Sequence, residues 1–480
     1  MRAPASDQGG TAIAFKWTQI RGPAVQLQDA ASARAHFVMP AMSGDGETSL
    51  GFAVALTHAD GRVQAKGVTV TPLHTPTPGA TPPPVMAGDY VLFTADNDLN
   101  NRVDLYRARL DGSEVVRVNG PLAPGSNVGS FVVSPDRTEV AYVADQDSLG
   151  TRELYVARLD GGGVRKVSGP LVPGGNVGSQ FIWAPDSSRI AYVANQVTAT
   201  VFELFSSRRD GSGNVRVSGP MTAGSGGVFV FAWAPDSSRI AYHAAQLTDD
   251  VIDVFSSRPD GSGNTMVSAV QPNGGVFDFA WAPDSSRIAY RTDQITDNLF
   301  EVFTSGPDGS GNVRISGPLV TGGQVFGFSW APDSSRIAYV ADQLTDNRLE
   351  LFTSRPDGSG NVRVSGPVAA GGTGVIGNFA WAPDSAYIAY IADQRSATLE
   401  LFTARPDGSL NPVVSGAMVT GGNVFNFLWT RDGQRLLYRA DQQVPNQAEL
   451  FSCAPDGGAV NLRVSGPLTL DGDVFSFAAP

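Results

Sequence analysis

The chain has 480 residues, 42% of them hydrophobic, so it contains enough apolar material for folded cores. Its 46 acidic and 34 basic residues give a net charge of −12, which argues against nucleic acid and other polyanions as partners. Gly (55) and Pro (32) are abundant and charged residues make up only 17%, a balance that favours turn-rich β structure over helix. The single cysteine, Cys453, excludes an internal disulfide. No run of about 18 apolar residues is present, so no transmembrane segment is predicted.

Residues 1–72 differ from the rest of the chain. The stretches 16–27, 37–40 and 49–72 have strand character, with Trp17 as the expected core anchor and 59–61 as a hairpin turn. They resemble the second part of a PKD-like, immunoglobulin-type sandwich. Because few residues precede Trp17, we expect an incomplete N-terminal β-sandwich: either the natural start lies further upstream or the domain is a remnant. Residues 73–86 form a Pro/Thr-rich linker.

From residue 87 to residue 480 a unit of about 49 residues recurs. The sequence WAPDSSRIAY occurs four times, at 183–192, 233–242, 281–290 and 330–339. Each unit has four short runs of strand character separated by Pro-Asp-Ser and Asp-Gly turns. In the run 228–233, simple alternation would place Phe229, Phe231 and Trp233 on one face. Four antiparallel strands between similar neighbours form a propeller blade.

The strand motifs also predict how many blades there are. Second, third and fourth strands each occur eight times, whereas first strands begin only at Val128. The missing first strand lies at the other end of the chain, at 474–477. Pairing of this segment with Tyr90–Phe93 would leave no open sheet edge. The sequence therefore predicts an all-β protein: an eight-bladed β-propeller closed by the C-terminal strand, preceded by the incomplete sandwich.

The unit W-x-P-D-[SG]-x-x-[IL]-A-Y, followed by E-L-[FY], D-G and R-V-S, resembles the TolB-type propeller repeat over residues 89–480. The resemblance implies that first strands are innermost and that the loops before the first and after the second strand share one face. The family includes envelope scaffolds and the non-catalytic halves of peptidases, so the resemblance also implies a periplasmic or extracellular protein. It is specific for a fold and not for a function.

A search for catalytic chemistry finds no motif. No G-x-S-x-G elbow is present, and the histidines (His36, His58, His74 and His243) have no metal-ligand spacing. The stretch 96–100 has alternating oxygen ligands but lacks the glycine and distal glutamate of a calcium loop. We expect no metal, no cofactor and no enzyme. The repeated tryptophans are expected to pack between blades, and in the Asp-Ser-Ser-Arg corners we expect Asp to cap the turn and Arg to lie over the neighbouring blade.

Comparison of the blades with one another identifies positions that the fold leaves free. One position in the first strand varies and is often polar: Ser130, Gln180, Val230, Asp278, Gly327, Asn378, Asn426 and Ser476. These side chains meet either channel water or a ligand. A second set follows the second strand and either caps loops or lines the channel mouth: Asp96, Asp145, Asn195, Ala245, Asp293, Asp342, Asp393 and Asp441.

Blades four and five differ most from the others. His243 and Arg291 occupy a site that is usually Val or Ile, and Ala245 replaces the usual Asp. This divergence is either drift or a ligand site in a concave mouth. The resulting ligand-binding candidates are Asp278, Arg291, His243, Gln294, Asn378, Asn426 and Gln180.

These observations predict a monomeric, non-catalytic binding or scaffolding protein of the cell envelope or surface. It would recognise a protein or a cell-wall component, such as an envelope protein or a polysaccharide, at one mouth of the propeller. The first alternative is a hydrolase or lyase that acts on glycans or peptides through carboxylates at the channel mouth. The second is a structural spacer without a specific ligand.

Overall fold

The computed structural model describes residues 12–21, 27–28, 36–37, 50–58, 63–70, 90–97, 101–221, 227–247, 251–269, 275–458, 461–469 and 472–478. All strands described from residue 90 onwards belong to eight consecutive antiparallel sheets, each built from neighbouring segments of the chain. This arrangement confirms the predicted all-β, eight-bladed propeller. Within these residues no helix is long and apolar enough to span a membrane.

Six blades have four strands in chain order, whereas blades one and seven have three. In blade seven a single bridge between Phe402 and Val413 stands in for the fourth strand. In chain order the strands are Tyr90–Ala95, Asp104–Arg109 and Val116–Arg117 in blade one; Val128–Val133, Glu139–Ala144, Glu153–Arg158 and Arg165–Lys166 in blade two; Val177–Trp183, Arg189–Ala194, Glu203–Arg208 and Val215–Arg216 in blade three; Val228–Trp233, Ile240–Ala244, Asp253–Ser257 and Thr265–Met266 in blade four; Val276–Trp281, Ile288–Thr292, Glu301–Ser305 and Val313–Arg314 in blade five; Val325–Trp330, Ile337–Ala341, Glu350–Ser354 and Val362–Arg363 in blade six; Val375–Trp381, Ile388–Ala392 and Glu400–Ala404 in blade seven; Val424–Trp429, Leu436–Ala440, Glu449–Cys453 and Leu462–Arg463 in blade eight.

The cores lie between consecutive blades. One cluster combines Leu204 of blade three with Trp233 and Tyr242 of blade four, and similar clusters recur along the chain. Tyr242 is fully buried and stacks on Phe255 of its own third strand, with 5.6 Å between ring centres. Where a sheet is covered by a neighbour on both faces, its second strand is apolar on both sides, whereas the third strand also buries polar residues such as Asp253, Ser256 and Ser257.

Hydrogen bonds also join the blades. The indole Nε1 of Trp233 donates to the carbonyl oxygen of Ile182 in the preceding blade (3.2 Å). The corner amide of Asp236 donates to the Ser285 hydroxyl of the next blade (3.0 Å), while the Asp236 carboxylate accepts from the backbone of its own turn. These bonds confirm the structural roles predicted for the tryptophans and the corner aspartates.

The corner arginines were predicted to lie over the neighbouring blade; their hydrogen bonds are made within their own blade, while the carboxylate of Asp308 in the next blade opposes the lowering of the Arg239 pKa by burial. Arg239 donates to the Ser256 hydroxyl (2.6 Å) and to the Gly263 carbonyl oxygen (2.7 Å), both in its own blade. The third strand and its outer turn bring these two acceptors within reach of the corner, so the arginine fastens one blade together.

A β-bulge interrupts the first strands and reverses the predicted alternation. In blade four, Val228 pairs with Ala244 and Val230 pairs with His243, which leaves Phe229 as the extra residue. Phe231 and Trp233 are 4% and 8% exposed, whereas Phe229 is 43% exposed. The prediction that Phe229 shares their face is therefore wrong, because one inserted residue moves a side chain to the other side of the sheet.

The C-terminal segment lies beside blade eight, in the place that the first strand of the following blade takes at the other junctions. The Val474 amide donates to the Ala448 carbonyl oxygen (2.7 Å), as Val424 does to Leu399 one blade earlier. The predicted ring-closing ladder with Tyr90–Ala95 is not among the pairings of the described residues, in which that strand pairs only with Asp104–Arg109. Phe475 accordingly remains 83% exposed.

In the N-terminal region, Leu50–His58 pairs with both Ala12–Arg21 and Val63–Val70, and Leu27–Gln28 pairs with His36–Phe37. Thr57 lies opposite Val63, as a hairpin between these strands requires. The turn residues 59–61, the side chain of Trp17 and the linker 73–86 lie outside the described part of the chain. The PKD-like assignment and the domain boundaries stay predictions.

Candidate functional site

The start of each first strand and the end of each second strand lie at the same end of the blade, because the two strands are antiparallel. We call this end, together with the loops that follow the second strands, the mouth face. Most of the large hydrophobic side chains that are exposed in the described residues belong to it. They are Leu149, Val197, Phe229, Val230, Leu247, Phe277, Ile295, Phe326, Leu344, Ile376, Phe425, Val444 and Phe475.

Five of these side chains form an inner apolar row, defined as Phe229, Phe277, Phe326, Ile376 and Phe425. Each is the second residue of a first strand and lies at the β-bulge of that strand. The five strands belong to consecutive blades, four to eight. The four phenylalanines are 43–58% exposed. Blades two and three have Gly129 and Gly178 at this position, so the row does not extend into these two blades.

An outer apolar row follows the second strands: Leu149, Val197, Leu247, Ile295 and Leu344, which are 49–62% exposed. In blade five, Phe277 of the inner row packs edge-on against Phe300, the residue before the third strand, with 4.4 Å between ring centres. In blades five and six the exposed carboxylates Asp297 and Asp346 lie two residues after the row. In blades five and six the mouth face therefore combines apolar contact area with exposed carboxylates.

The candidate pair Asp278 and Arg291 lies beside the inner row. The two residues are cross-strand partners, and Arg291 Nε donates to Asp278 Oδ1 at 3.2 Å. Arg291 Nη1 also donates to the carbonyl oxygens of Val325 (3.2 Å) and Phe326 (2.9 Å) in blade six. Arg291 thus fixes the bulge of the next blade, a structural role that the sequence did not indicate. Burial raises the pKa of Asp278, and the Arg291 charge opposes this shift.

Arg439 has the same role in blade eight, and our sequence reasoning missed it. Its Nη1 donates to the carbonyl oxygens of Val474 (3.1 Å) and Phe475 (3.3 Å), and its guanidinium lies 5.1 Å from the Phe425 ring centre. The signal was available, because RLLYRA aligns with RIAYRT of blade five. Arg291 and Arg439 therefore each lie beside one phenylalanine of the inner row, Phe277 and Phe425, and bind carbonyl oxygens of the next strand.

The candidate His243 lies between blades four and five and not on the mouth face. Its side chain is 5% exposed and packs edge-on against Phe279. Burial lowers its pKa to about 4, so the imidazole is neutral at pH 7. Within the described residues its Nε2 has no hydrogen-bond partner. His243 fills a position that Val occupies in other blades and does not meet solvent-borne ligands.

The candidate Gln294 has a structural role within blade five. It accepts a hydrogen bond from the Tyr290 hydroxyl (3.4 Å) and donates from Nε2 to Asn312 Oδ1 (3.3 Å). Gln343 makes the corresponding bonds one blade later. The acidic set that precedes these glutamines caps loops: Asp342 Oδ1 accepts from the Gln324 amide (2.6 Å). The loop-capping alternative for this set is thereby confirmed.

Gln180 and Asn426 remain as exposed polar side chains on first strands, and they make no side-chain hydrogen bond within the described residues. The side chain of Asn378 lies outside the described part of the chain, as do Asp98 to Asn100 of the calcium-like stretch. Among the residues described, no group of three His, Cys, Asp or Glu side chains could hold a metal ion. Asp278, Gln180 and Asn426 are the candidates that can contact a ligand.

No family model and no curated protein matches the chain. Among solved structures it is similar to oligogalacturonate lyase from Vibrio parahaemolyticus, at 13% identity and a TM-score of 0.36, over 66% of this chain and 86% of that one. It is also similar to a putative TolB from Agrobacterium tumefaciens (16% identity, TM-score 0.30, 52% of this chain and 83% of that one). TolB from Acinetobacter baumannii is similar at 13% identity and a TM-score of 0.29, over 72% of this chain and 78% of that one. Similarity at this level assigns no activity.

Proposed function

We propose that this chain is a non-catalytic binding protein that docks a partner protein on its mouth face. The exposed phenylalanines of the inner apolar row carry the proposal. Solvent-exposed aromatic side chains that recur at the same strand position in four of five consecutive blades are unusual on a surface that contacts only water. Aromatic residues are also the side chains most enriched at protein interfaces.

The charges of the mouth face indicate what kind of partner fits. The loops before the first strands of blades six and eight, 318–324 and 417–423, have no charged residue. The exposed charges next to the apolar rows include Asp297 and Asp346. A partner with an apolar patch edged by Lys or Arg would complement this surface. Three exposed polar side chains on the first strands, Asp278, Gln180 and Asn426, would then fix its orientation.

We place the protein in the periplasm or outside the cell. This assignment is supported by the resemblance of the repeats to those of envelope propellers. The apolar character of the mouth face favours an envelope protein over a polysaccharide as the partner. A polysaccharide site would need more polar side chains among the apolar ones.

The test is capture of a partner from an envelope extract by the full chain, compared between two double variants. Phe326→Ser/Phe425→Ser removes two exposed aromatics of the inner row. Val115→Ser/Leu462→Ser removes two side chains of similar exposure, 50% and 55%, outside the mouth face. We expect one partner to be retained by the parent and the control and lost by the inner-row variant. Equal retention by both variants would overturn the proposal.

The enzyme alternative makes a different prediction on the same surface. A hydrolase or lyase that uses Asp278 should lose turnover of a glycan or peptide in Asp278→Asn, while binding stays intact. In the binding protein, Asp278→Asn changes affinity and no turnover exists to be lost. Measured turnover that disappears in Asp278→Asn would replace the binding proposal with the enzyme.

A further inference from the structure

Arg439 on the mouth face of blade eight has no counter-ion among the described residues. Its side chain is half-buried, and its Nη1 donates to the carbonyl oxygens of Val474 (3.1 Å) and Phe475 (3.3 Å). Its Nε is buried without a hydrogen-bond partner, whereas its Nη2 makes no bond and is open to solvent. Within the part of the chain that the structure describes, no carboxylate forms an ion pair with this guanidinium.

Blade five has the same arrangement with its charge compensated. Arg291 Nη1 binds the two equivalent carbonyl oxygens of blade six, and Arg291 Nε donates to Asp278 Oδ1 (3.2 Å). Asp278 is the cross-strand neighbour of Arg291, and Asn426 is the corresponding neighbour of Arg439. Because the amide of Asn426 carries no charge, blade eight keeps the cation and lacks the anion.

The residues around this arginine are accessible from solvent. The Asn426 side chain is exposed and makes no side-chain hydrogen bond within the described residues. Phe425, whose ring centre lies 5.1 Å from the Arg439 guanidinium carbon, is 46% exposed, and Phe475 is 83% exposed. A solvated cation, an exposed amide and two exposed phenylalanines thus occur together at one place on the mouth face.

We propose that Arg439 and Asn426 form a subsite for a carboxylate of the docked partner protein. The carboxylate would accept hydrogen bonds from Arg439 Nη2 and Asn426 Nδ2, while an apolar side chain next to it packs on Phe425 or Phe475. A hydrogen bond between a guanidinium and a carboxylate is stronger than one to a neutral amide, so a carboxamide of the same shape binds less tightly. The carboxylate is supplied either by an Asp or Glu side chain or by a chain terminus.

This subsite rests on the proposed docking, and it gives the docked partner a direction. At blades five and six, the exposed carboxylates Asp297 and Asp346 favour basic residues of the partner. At blade eight, Arg439 favours an acidic one. A partner whose apolar patch has basic residues at one end and an acidic residue at the other would therefore bind in one orientation only.

The test uses saturation-transfer NMR with the full chain and short peptides as probes. Acetyl-Phe-Glu-amide is compared with acetyl-Phe-Gln-amide, and acetyl-Ala-Phe with a free terminal carboxylate is compared with its amide. We expect the acid of at least one pair to bind about tenfold more tightly than its amide. A preference in the first pair identifies a side-chain carboxylate as the source, and a preference in the second identifies a chain terminus. Equal binding of acid and amide in both pairs, or no binding of either acid, would overturn the proposal.

Blades five and eight provide the matched variants. Asn426→Asp copies the pair of blade five, gives Arg439 its own carboxylate and should abolish the preference for the acid. Asn426→Asp combined with Asp278→Asn leaves Arg291 without its carboxylate and should restore the preference at blade five. Val115→Asp adds the same charge outside the mouth face and should keep the preference of the parent.

Two results would refute the subsite. One is a preference for the acid that persists in Asn426→Asp. The other is a parent chain that captures a partner through the inner apolar row but binds neither acid probe more tightly than its amide. The second result would leave the proposed docking intact, so failure of the subsite is distinguishable from failure of the proposed function.

Discussion

The imidazole of His243 in blade four packs edge-on against the phenyl ring of Phe279 in blade five, with 4.6 Å between ring centres. Within its own sheet His243 lies between Val230 and Val254. Among the described residues no charged side chain pairs with the ring, and burial alone lowers its pKa from 6.5 to about 4. A neutral histidine thus serves as an apolar contact between two blades.

This contact predicts acid sensitivity. Between pH 6.5 and pH 4 the unfolded chain binds a proton at His243 and the folded chain does not, so stability falls as the pH falls. The parent should lose about 2 kcal/mol from this group between pH 7.5 and pH 5. His243→Val should remove that part of the loss, measured by urea unfolding at both pH values.

Asp253 also contributes to the pH dependence of stability, so the effect of His243 has to be measured as the difference between the parent and His243→Val. Burial raises its pKa to about 6, and the Ser268 hydroxyl opposes the shift. A raised carboxyl pKa favours the folded state at low pH, which acts against the effect of His243. The difference between parent and His243→Val cancels the Asp253 contribution. An identical pH dependence in the two proteins would contradict the role given to His243.

A repeated ion pair joins the third and fourth strands. In blade five, Arg314 Nη1 lies 2.8 Å from Oε1 of Glu301, whose side chain is 3% exposed. Blade four has Met266 at the position of Arg314. Arg314→Met should cost about 2 kcal/mol at pH 8, because it leaves a buried carboxylate unpaired. Burial already raises the pKa of Glu301, so protonation should reduce this cost at pH 5.

The control for this pair is Arg314→Met/Glu301→Gln, which has no buried charge and should show the same stability change at pH 8 and pH 5. Chemical denaturation at the two pH values measures both variants. A cost of Arg314→Met that does not depend on pH would mean that lost packing, not the unpaired carboxylate, sets the effect.

Arg439 should hold the C-terminal segment on blade eight. Arg439→Val removes the donor to the Val474 and Phe475 carbonyl oxygens. We expect hydrogen exchange of the amides in 474–478 to become about tenfold faster, since a hydrogen bond from a charged donor is worth 1.5–3 kcal/mol, roughly. Arg291→Val removes the equivalent bonds to Val325 and Phe326 and should leave 474–478 unchanged. Equal exchange in both variants would show that Arg439 does not retain the segment.

Much of the fold could be predicted because the same strand and turn residues recur in every repeat. The tryptophans, the corner aspartates and the blade count follow from residues that recur at fixed spacing, and the structure confirms them. The side of Phe229 could not be predicted, because a bulge adds one residue without a glycine or proline to mark it. The alternation rule then gives the wrong face for every side chain before the bulge.

The candidate site was harder to predict than the fold. Divergence between blades correctly drew attention to His243 and Arg291, but it does not distinguish a ligand contact from a structural replacement. Arg291 binds two carbonyl oxygens of the next blade, and His243 is buried. The inner apolar row was missed because its phenylalanines recur as regularly as the core. Recurrence indicates that a position is constrained, and exposure has to come from the structure.

Site-specific photocrosslinking can show whether a partner protein docks on the mouth face. A benzophenone amino acid placed at Phe326 or Phe425 lies in the inner apolar row, and the same group placed at Val115 or Leu462 lies outside the mouth face. After irradiation in the native envelope, we expect one discrete adduct from the two inner-row positions and none from the two controls. Adducts of equal yield from all four positions, or from Val115 and Leu462 alone, would contradict docking on this face.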